Sequence, residues 1–217
     1  MSGFTVHLVP GSPYSRAVLA TLIEKGAGYR IAPVAPGTLR SEEHLARHPF
    51  GRVPVLEHDG FRVYETQAIL RYLDRALPAP ALTPADPREA ARMDRLLNVN
   101  DWYLFRDVAA VIVYQRIVGP RVMGLACDEA AVAAAMPEAH RVIGFLDAEL
   151  ADGPYLAGAR LTLADLAVAA QLDLFAATPE WAELIPGRDA LAGWLGRMAA
   201  RRSFVETTWE RVAAAAA

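Results

Sequence analysis

Residues 50–66, FGRVPVLEHDGFRVYET, bring a proline, an Asp-Gly pair and a Glu-Thr pair into one short stretch. RVPVLEH and FRVYE read as two strands, and Asp59-Gly60 between them is a hairpin turn pair. Pro54 falls inside the first strand, where a proline has no N–H to give the ladder. A cis Val53–Pro54 bond, accessible at about 0.5–1 kcal/mol, would turn the Val53 N–H and C=O toward the end of the sheet. An extended peptide can pair with them there as a mini-strand. Directly after the hairpin, Thr66 suits the N-cap of a helix QAILRYLD, whose first free N–H groups form a carboxylate site. A peptide backbone and a carboxylate would then be held one hairpin apart. The same residues also fit a trans proline at a strand start and an ordinary helix cap, and taken alone they leave both readings open.

The elements that must position this stretch alternate along the first third of the chain. FTVHLV is a β-rich run, GSP breaks it, and YSRAVLATLIEKG has Val18, Leu19, Leu22 and Ile23 at helical spacing with Gly26 as its stop. YRIAPV reads as a strand, and SEEHLARH as a short helix with Ser41 as N-cap and acidic residues in its first turn. The hairpin follows, and TQAILRYLDRAL closes the unit as a helix. The order is β-α-β-α-β-β-α, with a parallel, right-handed first βαβ. LPAPALTPADP, residues 77–87, has four prolines and reads as a linker. Beyond it only helical patterns stand out: REAARMDRLLNVNDWYLFRDVAAVIVYQRIV, then DEAAVAAAMPEAHRVIGFLDAELA with a bend or break expected at Pro137. LTLADLAVAAQLDLFAAT is apolar enough to be central, and DALAGWLGRMAARR and SFVETTWERVAAAA finish the chain. No internal repeat is visible.

The bulk numbers fit this division. The chain has 217 residues, 53% hydrophobic and 22% charged, which describes a packed globular protein of one large or two small domains. The formal charge of −3, without a run of five like charges, leaves no electrostatic case for nucleic acid or an anionic membrane. A single cysteine, Cys127, excludes an intrachain disulfide and a Cys-based metal cage, and no metal is expected. MSGFTVHLVPGSPYSR lacks the basic start and long apolar core of a signal peptide, and no apolar stretch is long enough to span a bilayer. A cytoplasmic protein is the expectation.

With its elements in this order the sequence resembles the glutathione S-transferase family. The residues that carry the resemblance are VP before the hairpin, ET at the helix start, TQAIL after it, and LTLADLAVAAQL, in which Thr162 and Asp165 form an S/T-x-x-D capping box. It covers nearly the whole chain. It implies a thioredoxin-like α/β domain (βαβαββα) over residues 1–78, a proline-rich linker over 79–87 and an all-α domain over 88–217. In that family the cis-proline motif grips the cysteinyl backbone of glutathione, and an acidic residue with a Ser or Thr grips its γ-glutamyl end. Val53, Pro54, Glu65 and Thr66 are therefore expected to bind glutathione, while the box serves folding.

Glutathione chemistry needs a thiolate. Lowering a thiol pKa by about two units takes about 2.7 kcal/mol of preferential anion stabilisation. A hydroxyl donating to a charged group contributes about 1.5–3 kcal/mol and a helix N-terminus about 0.3–1 kcal/mol, so one hydroxyl at one helix start suffices. GSPYSRAV offers Ser12, Tyr14 and Ser15 at such a start. Members similar to the theta, phi and zeta classes use a serine there, and Ser12, 14 residues before Gly26, has the matching position, with Ser15 the alternative. Ser12 also fits a role as helix cap alone. VHLVPG has no tyrosine for the tyrosine-type mechanism, His7 reads as packed within its strand, and no cysteine lies nearby for omega-like thiol exchange. Cys127 is expected to be inert.

The resemblance implies further contacts. Arg40, or else Arg52, would pair with the glycyl carboxylate, though either fits a solvated surface charge. Arg52 departs from the glutamine of the NPFGQVP form of this segment, which puts one glutathione hydrogen bond in doubt. Gln67 follows the Glu-Thr pair at a place that often faces a dimer interface, and Asp101 would reach the γ-glutamyl amine in a partner subunit. An electrophile pocket between the domains would draw on Tyr14, Tyr103, Phe105, Arg106 and Tyr114, with Trp102 nearby and Arg106 suited to an anionic substrate or leaving group. Aromatic residues at this spacing also fit a helix core.

The implied activity is attack of the glutathione thiolate on a small hydrophobic electrophile, with glutathione as co-substrate, no metal and no covalent intermediate on the protein. A glutathione-dependent isomerase, lyase or dehalogenase, or peroxide reduction, fits the same site, but the zeta-like isomerase is disfavoured because SPYS replaces its SSCS-like cluster. A non-catalytic binding or interaction protein is the alternative of another class. Such relatives often lose the hydroxyl or the Glu-Thr pair, and both are present here. The family is usually dimeric, so a homodimer acting in detoxification is expected.

Overall fold

Phe4, Val6 and Leu8 alternate along FTVHL and all three are buried, so Phe4–Leu8 forms a strand (β1) with one face on the core. The computed structural model of the chain describes residues 3–77 and 79–217. After β1 the backbone turns at Gly11, and Ser12 opens the helix Pro13–Glu24 (α1) with proline in its first turn. Val18, Leu19 and Leu22 of α1 are fully buried, each worth about 1.5–3 kcal/mol of transfer from water. Gly26 ends α1 in the left-handed region (φ 65°), where its N–H donates to Ile23 O and that of Ala27 to Leu22 O, a Schellman closure.

The strand Tyr29–Pro33 (β2) lies parallel to β1, and the short helix Glu42–Leu45 (α2) begins where Ser41 Oγ accepts from His44 N–H. The hairpin strands are Val55–His58 (β3) and Phe61–Tyr64 (β4), with Asp59 and Gly60 at positive φ in the turn. The sheet order is β2-β1-β3-β4, with β1 and β3 antiparallel. The helix Thr66–Ala76 (α3) packs Ile69, Leu70 and Leu73 into the core beside α1. This is the mixed four-stranded, thioredoxin-like arrangement expected.

Two compact units result, one holding the residues through Thr83 together with Ala200–Ala217, the other Pro84–Ala199. Pro78, expected as the last residue of the first domain, lies outside the described residues. Leu82 of the proline-rich stretch is buried, and its N–H donates to Asp74 Oδ1 at 2.8 Å. The same carboxylate pairs with the buried ammonium of Lys25 at 2.5 Å, and that ammonium also donates to Pro80 O. Burial pushes the Asp74 carboxyl up, but hydrogen bonds from Lys25, Thr83 and Leu82 outweigh it and hold it low.

The second unit is built from helices. Asp86 caps the helix Pro87–Val99 (α4) by accepting from the Arg88 and Glu89 N–H groups. Helical winding continues to Met123 through a π-wound segment Asn100–Ala109, the helix Ala110–Val113 (α5) and a second π-wound segment Tyr114–Met123, ending at left-handed Gly124. The helix Glu129–Glu149 (α6) runs through Pro137 without the break that was one of the two outcomes expected there. Pro137 is exposed, and so is Ala133 four residues earlier, so water can satisfy the carbonyl that Pro137 cannot reach. The helix Leu163–Phe175 (α7) is buried almost throughout and packs on α4. The helices Trp181–Leu184 (α8) and Asp189–Ala199 (α9) follow, and Asp147 Oδ1 of α6 accepts from Leu191 N–H in the first turn of α9.

Asp165 and Thr162 form the expected capping box. Asp165 Oδ2 accepts from both Thr162 N–H and Thr162 Oγ1, while Oδ1 accepts from Leu156 N–H and Trp194 Nε1. Burial pushes this carboxyl up, and the four donors oppose that rise.

Candidate functional site

One row of the sheet gathers the candidate residues. His7 of β1 stands beside Val55 of β3, and Val55 beside Tyr64 of β4. At about 4.7–4.9 Å per strand the row is about 10 Å across. β1 runs out of it toward Ser12, β3 enters it from Val53–Pro54, and β4 leaves it into Glu65 and Thr66. Antiparallel pairing therefore delivers three sequence-distant segments to one end of one sheet.

Ser12 is the N-cap of α1, and its Oγ accepts from Ser15 N–H at 3.3 Å. With that lone pair occupied, the Ser12 O–H is free to turn away from the helix toward an incoming acceptor. Ser12 is half-buried, whereas Ser15 is only 2% exposed, and its own Oγ is buried without a hydrogen-bond partner. Ser12 is thus the partly exposed serine of the pair and Ser15 the buried one. Tyr14 is half-buried in the first turn.

The Val53–Pro54 bond is cis, and β3 begins only at Val55, which places Pro54 ahead of the ladder. Arg40 and Arg52 are both exposed, and the Arg40 side chain lies against Gly51, the residue before Arg52. Gly51 has φ 62°, and a Cβ there would meet Leu39 O at 2.6 Å and Arg40 Cδ at 3.1 Å. The chain turns back past Arg40 at that point because only glycine fits. Thr66 is corrected from N-cap to first helical residue. Glu65 takes the cap position with φ 69° and ψ 114°, and no side chain caps the helix. A non-glycine residue at positive φ is a strained conformation of the kind concentrated at functional sites. It leaves the first N–H groups of α3 without a side-chain cap and puts an exposed carboxylate beside them.

Two buried histidines beneath this end were not foreseen. His44 Nε2 lies 2.9 Å from Arg52 O, and His48 Nδ1 accepts from Phe50 N–H at 3.3 Å. The position of Trp209 was not foreseen either, as its ring lies directly over Gly11. Trp209 arrives through the helices Arg202–Val205 (α10) and Trp209–Ala215 (α11). These are anchored on α1, where Arg16 donates to Phe204 O and Thr207 Oγ1, and Arg201 and Ser203 bind Glu24. Burial pushes the Glu24 carboxyl up, but the Arg201 and Ser203 donors outweigh it and hold it low. The only sequence signals for these contacts were the glycines of VPGS and FGRV, which mark turns without naming what crosses them.

His7 is packed as expected. Burial lowers its pKa, against the opposing pull of Glu57 at 3.2 Å. In the second unit Asp101 accepts from Asn100 Nδ2, and Tyr103 and Tyr114 are exposed while Phe105 is half-buried. Arg106 is held by both oxygens of Asp107 and lies over the Trp102 ring, so its charge is matched by an adjacent carboxylate. Cys127 lies 3.1 Å from Arg116 Nη1, yet burial and Glu129 push its thiol up, which keeps it protonated. Gln67 Oε1 accepts from Arg71. No helix among the described residues is long and apolar enough to cross a membrane.

The profile of the glutathione S-transferase N-terminal domain matches residues 11–76, and that of the glutathione S-transferase C-terminal domain matches residues 105–202. Glutathione S-transferase F14 of Arabidopsis thaliana is 32% identical over 198 residues, covering 88% of this chain and 77% of that protein. The solved structure of a glutathione S-transferase III in apo form superposes with a TM-score of 0.84 at 32% identity, over 94% of this chain and 95% of that one. A glutathione S-transferase-I bound with the ligand lactoylglutathione gives a TM-score of 0.84 at 27% identity, over 98% and 99%.

Proposed function

Because this chain belongs to the glutathione S-transferase family, we propose that it binds glutathione at the His7–Val55–Tyr64 end of the sheet and directs its thiolate at a small hydrophobic electrophile. The observation that carries this reading is Ser12: a partly exposed serine at the N-terminus of α1, its Oγ oriented by Ser15 N–H, at the end of the sheet where cis Val53–Pro54 enters β3 and Glu65 follows β4. The Val53 backbone pairs with the cysteinyl residue of the substrate. Glu65 takes the γ-glutamyl ammonium, and the open N-terminus of α3 at Thr66 takes the adjacent carboxylate. Arg40, folded over Gly51, or its neighbour Arg52, takes the glycyl carboxylate. Ser12 then donates to the sulfur and, with the α1 dipole, stabilises the anion. Fixed position and a stabilised thiolate are the whole of the catalytic work, and the sulfur makes the new bond as the leaving group departs from the electrophile.

The aromatic residues Tyr14, Tyr103, Phe105 and Tyr114 are proposed to face the electrophile. Arg106 is assigned no anion, since Asp107 already matches it. The setting implied is a cytoplasmic homodimer acting in detoxification, with Asp101 reaching toward the partner's ligand; Phe50, 61% exposed, is an apolar side chain that such an interface would cover. Thiolate absorbance of bound glutathione against pH, for wild type, Ser12→Ala and Ser15→Ala, tests the assignment. Ser12→Ala alone should raise the bound thiol pKa by about one unit or more. Binding with an unshifted thiol in the wild type would instead mark a binding protein on a transferase fold.

A further inference from the structure

The segment from Ser41 to Phe50 sets two imidazoles under the site, and their tautomers follow from their partners. His44 is 1% exposed, and its Nε2 faces a carbonyl, Arg52 O, at 2.9 Å. A carbonyl only accepts, so Nε2 carries the proton, and Nδ1 is bare and buried without a partner. His48 is 2% exposed, and its Nδ1 accepts from Phe50 N–H at 3.3 Å. Its proton therefore sits on Nε2, and that edge lies 4.0 Å from Glu65 Oε1. The His48 ring also packs against Tyr64, centroid to centroid 4.7 Å, on the residue just before Glu65. One imidazole thus holds the start of the 50–54 loop through one nitrogen and faces the strained Glu65 with the other, at 4.0 Å, where the coupling is electrostatic rather than a direct hydrogen bond.

We propose that His48 is a positioning residue of the glutathione site, fixing the loop that leads to Val53 through Nδ1 and orienting the Glu65 carboxylate toward the substrate ammonium through Nε2–H. This rests on the glutathione reading above. It has a consequence in pH. A second proton on His48 must go to Nδ1, where it confronts the Phe50 N–H and breaks that bond. The imidazolium then also competes with the substrate ammonium for Glu65. The charged and titratable groups facing His48 are Glu65 at the start of α3, His44 on α2, Arg52 on the loop and Tyr64 on β4. Burial lowers the His48 pKa, Glu65 opposes this, and His44 and Arg52 reinforce it, so the second proton arrives below the ordinary histidine value of 6.5. Glutathione affinity should therefore fall as the solution is acidified past that value, while the sulfur chemistry at Ser12 is untouched.

Two isosteres separate the two nitrogens. In His48→Asn the amide oxygen replaces Nδ1 and the loop contact survives, but nothing reaches Glu65. In His48→Gln the amide nitrogen replaces Nε2, but the loop contact is lost. Glutathione affinity by calorimetry, from about pH 7.5 to about pH 5, should weaken about tenfold in the wild type on acidification, and both variants should lose this dependence. At about pH 7.5 each variant should bind roughly three- to tenfold more weakly, with the thiol pKa of bound glutathione unchanged. Wild-type affinity and pH dependence in both variants would overturn the positioning role while leaving the glutathione site standing. A shifted thiol pKa in the variants would overturn it too, since His48 would then act at the sulfur. Absence of glutathione binding by the wild type at every pH would overturn the site itself and this inference with it.

Discussion

Alanine at Gly11 tests whether the C-terminal tail is built into the serine loop. Gly11 has φ 86°, and a Cβ there would stand 2.5 Å from Trp209 Cε2, 2.6 Å from Cδ2 and 2.9 Å from Cε3. Two separable penalties add. A side chain held in the left-handed region costs about 1–2 kcal/mol, and a methyl forced against a packed ring costs about 1–3 kcal/mol. Gly11→Ala should therefore destabilise the protein by about 2–5 kcal/mol. In a Trp209→Ala background the ring is gone and only the backbone penalty of about 1–2 kcal/mol should remain. The cycle thus predicts a coupling of about 1–3 kcal/mol between residues far apart in sequence. Urea unfolding of the four proteins, followed by far-ultraviolet circular dichroism, measures it. Equal losses in the two backgrounds would refute the packing argument. Because Gly11 immediately precedes Ser12, kcat should fall in Gly11→Ala and partly recover in the double variant.

Asp165→Asn replaces an oxygen that accepts from buried donors with an amine that faces them, and should cost about 3–5 kcal/mol with a matching drop in Tm. A loss below about 1 kcal/mol would mean the box is dispensable. Glu24 is held low by Arg201 and Ser203, so its stabilisation is in force above its ordinary value of 4.5 and fades as pH falls through the depressed one. Glu24→Gln should cost about 1–3 kcal/mol at neutral pH, flatten the acid limb of stability, and expose the Arg201 region to limited proteolysis; unchanged acid behaviour would rule Glu24 out as an anchor.

Much of the first unit, and the capping box of the second, was legible because their signals are local. Alternation in FTVHL, the Gly26 stop, the Ser41 cap, the Asp59-Gly60 turn and the Thr162–Asp165 box each lie within a few residues of what they determine, and each appears in the structure. The candidate site was legible as residue types, since a proline within a strand and a Glu-Thr pair before a helix are unusual enough to notice. What failed was orientation. Thr66 looks like a cap, but the backbone takes its turn one residue earlier at Glu65. Arg106 looked available for an anion, and the structure adds that the Nε–Nη2 edge of its guanidinium is taken by Asp107. His44 and His48 gave no signal, because burial of an imidazole depends on what folds over it. The grouping of Ala200–Ala217 with the first unit rests on contacts such as Arg16 with Phe204, and no local pattern encodes a pairing of that span.

That grouping bears on how the protein is made. The ribosome releases the sheet and α1 early, yet Arg16, buried on α1, finds Thr207 Oγ1 and Phe204 O only 191 and 188 residues later. Until then the nascent first unit carries an incompletely matched guanidinium and an uncovered Gly11 turn. Vectorial synthesis can therefore yield a substrate-binding half that is provisional, with α10 and α11 completing what β1 and α1 began. A stop codon ahead of Trp209 would leave every proposed glutathione contact of the first unit encoded and the turn before Ser12 without its roof.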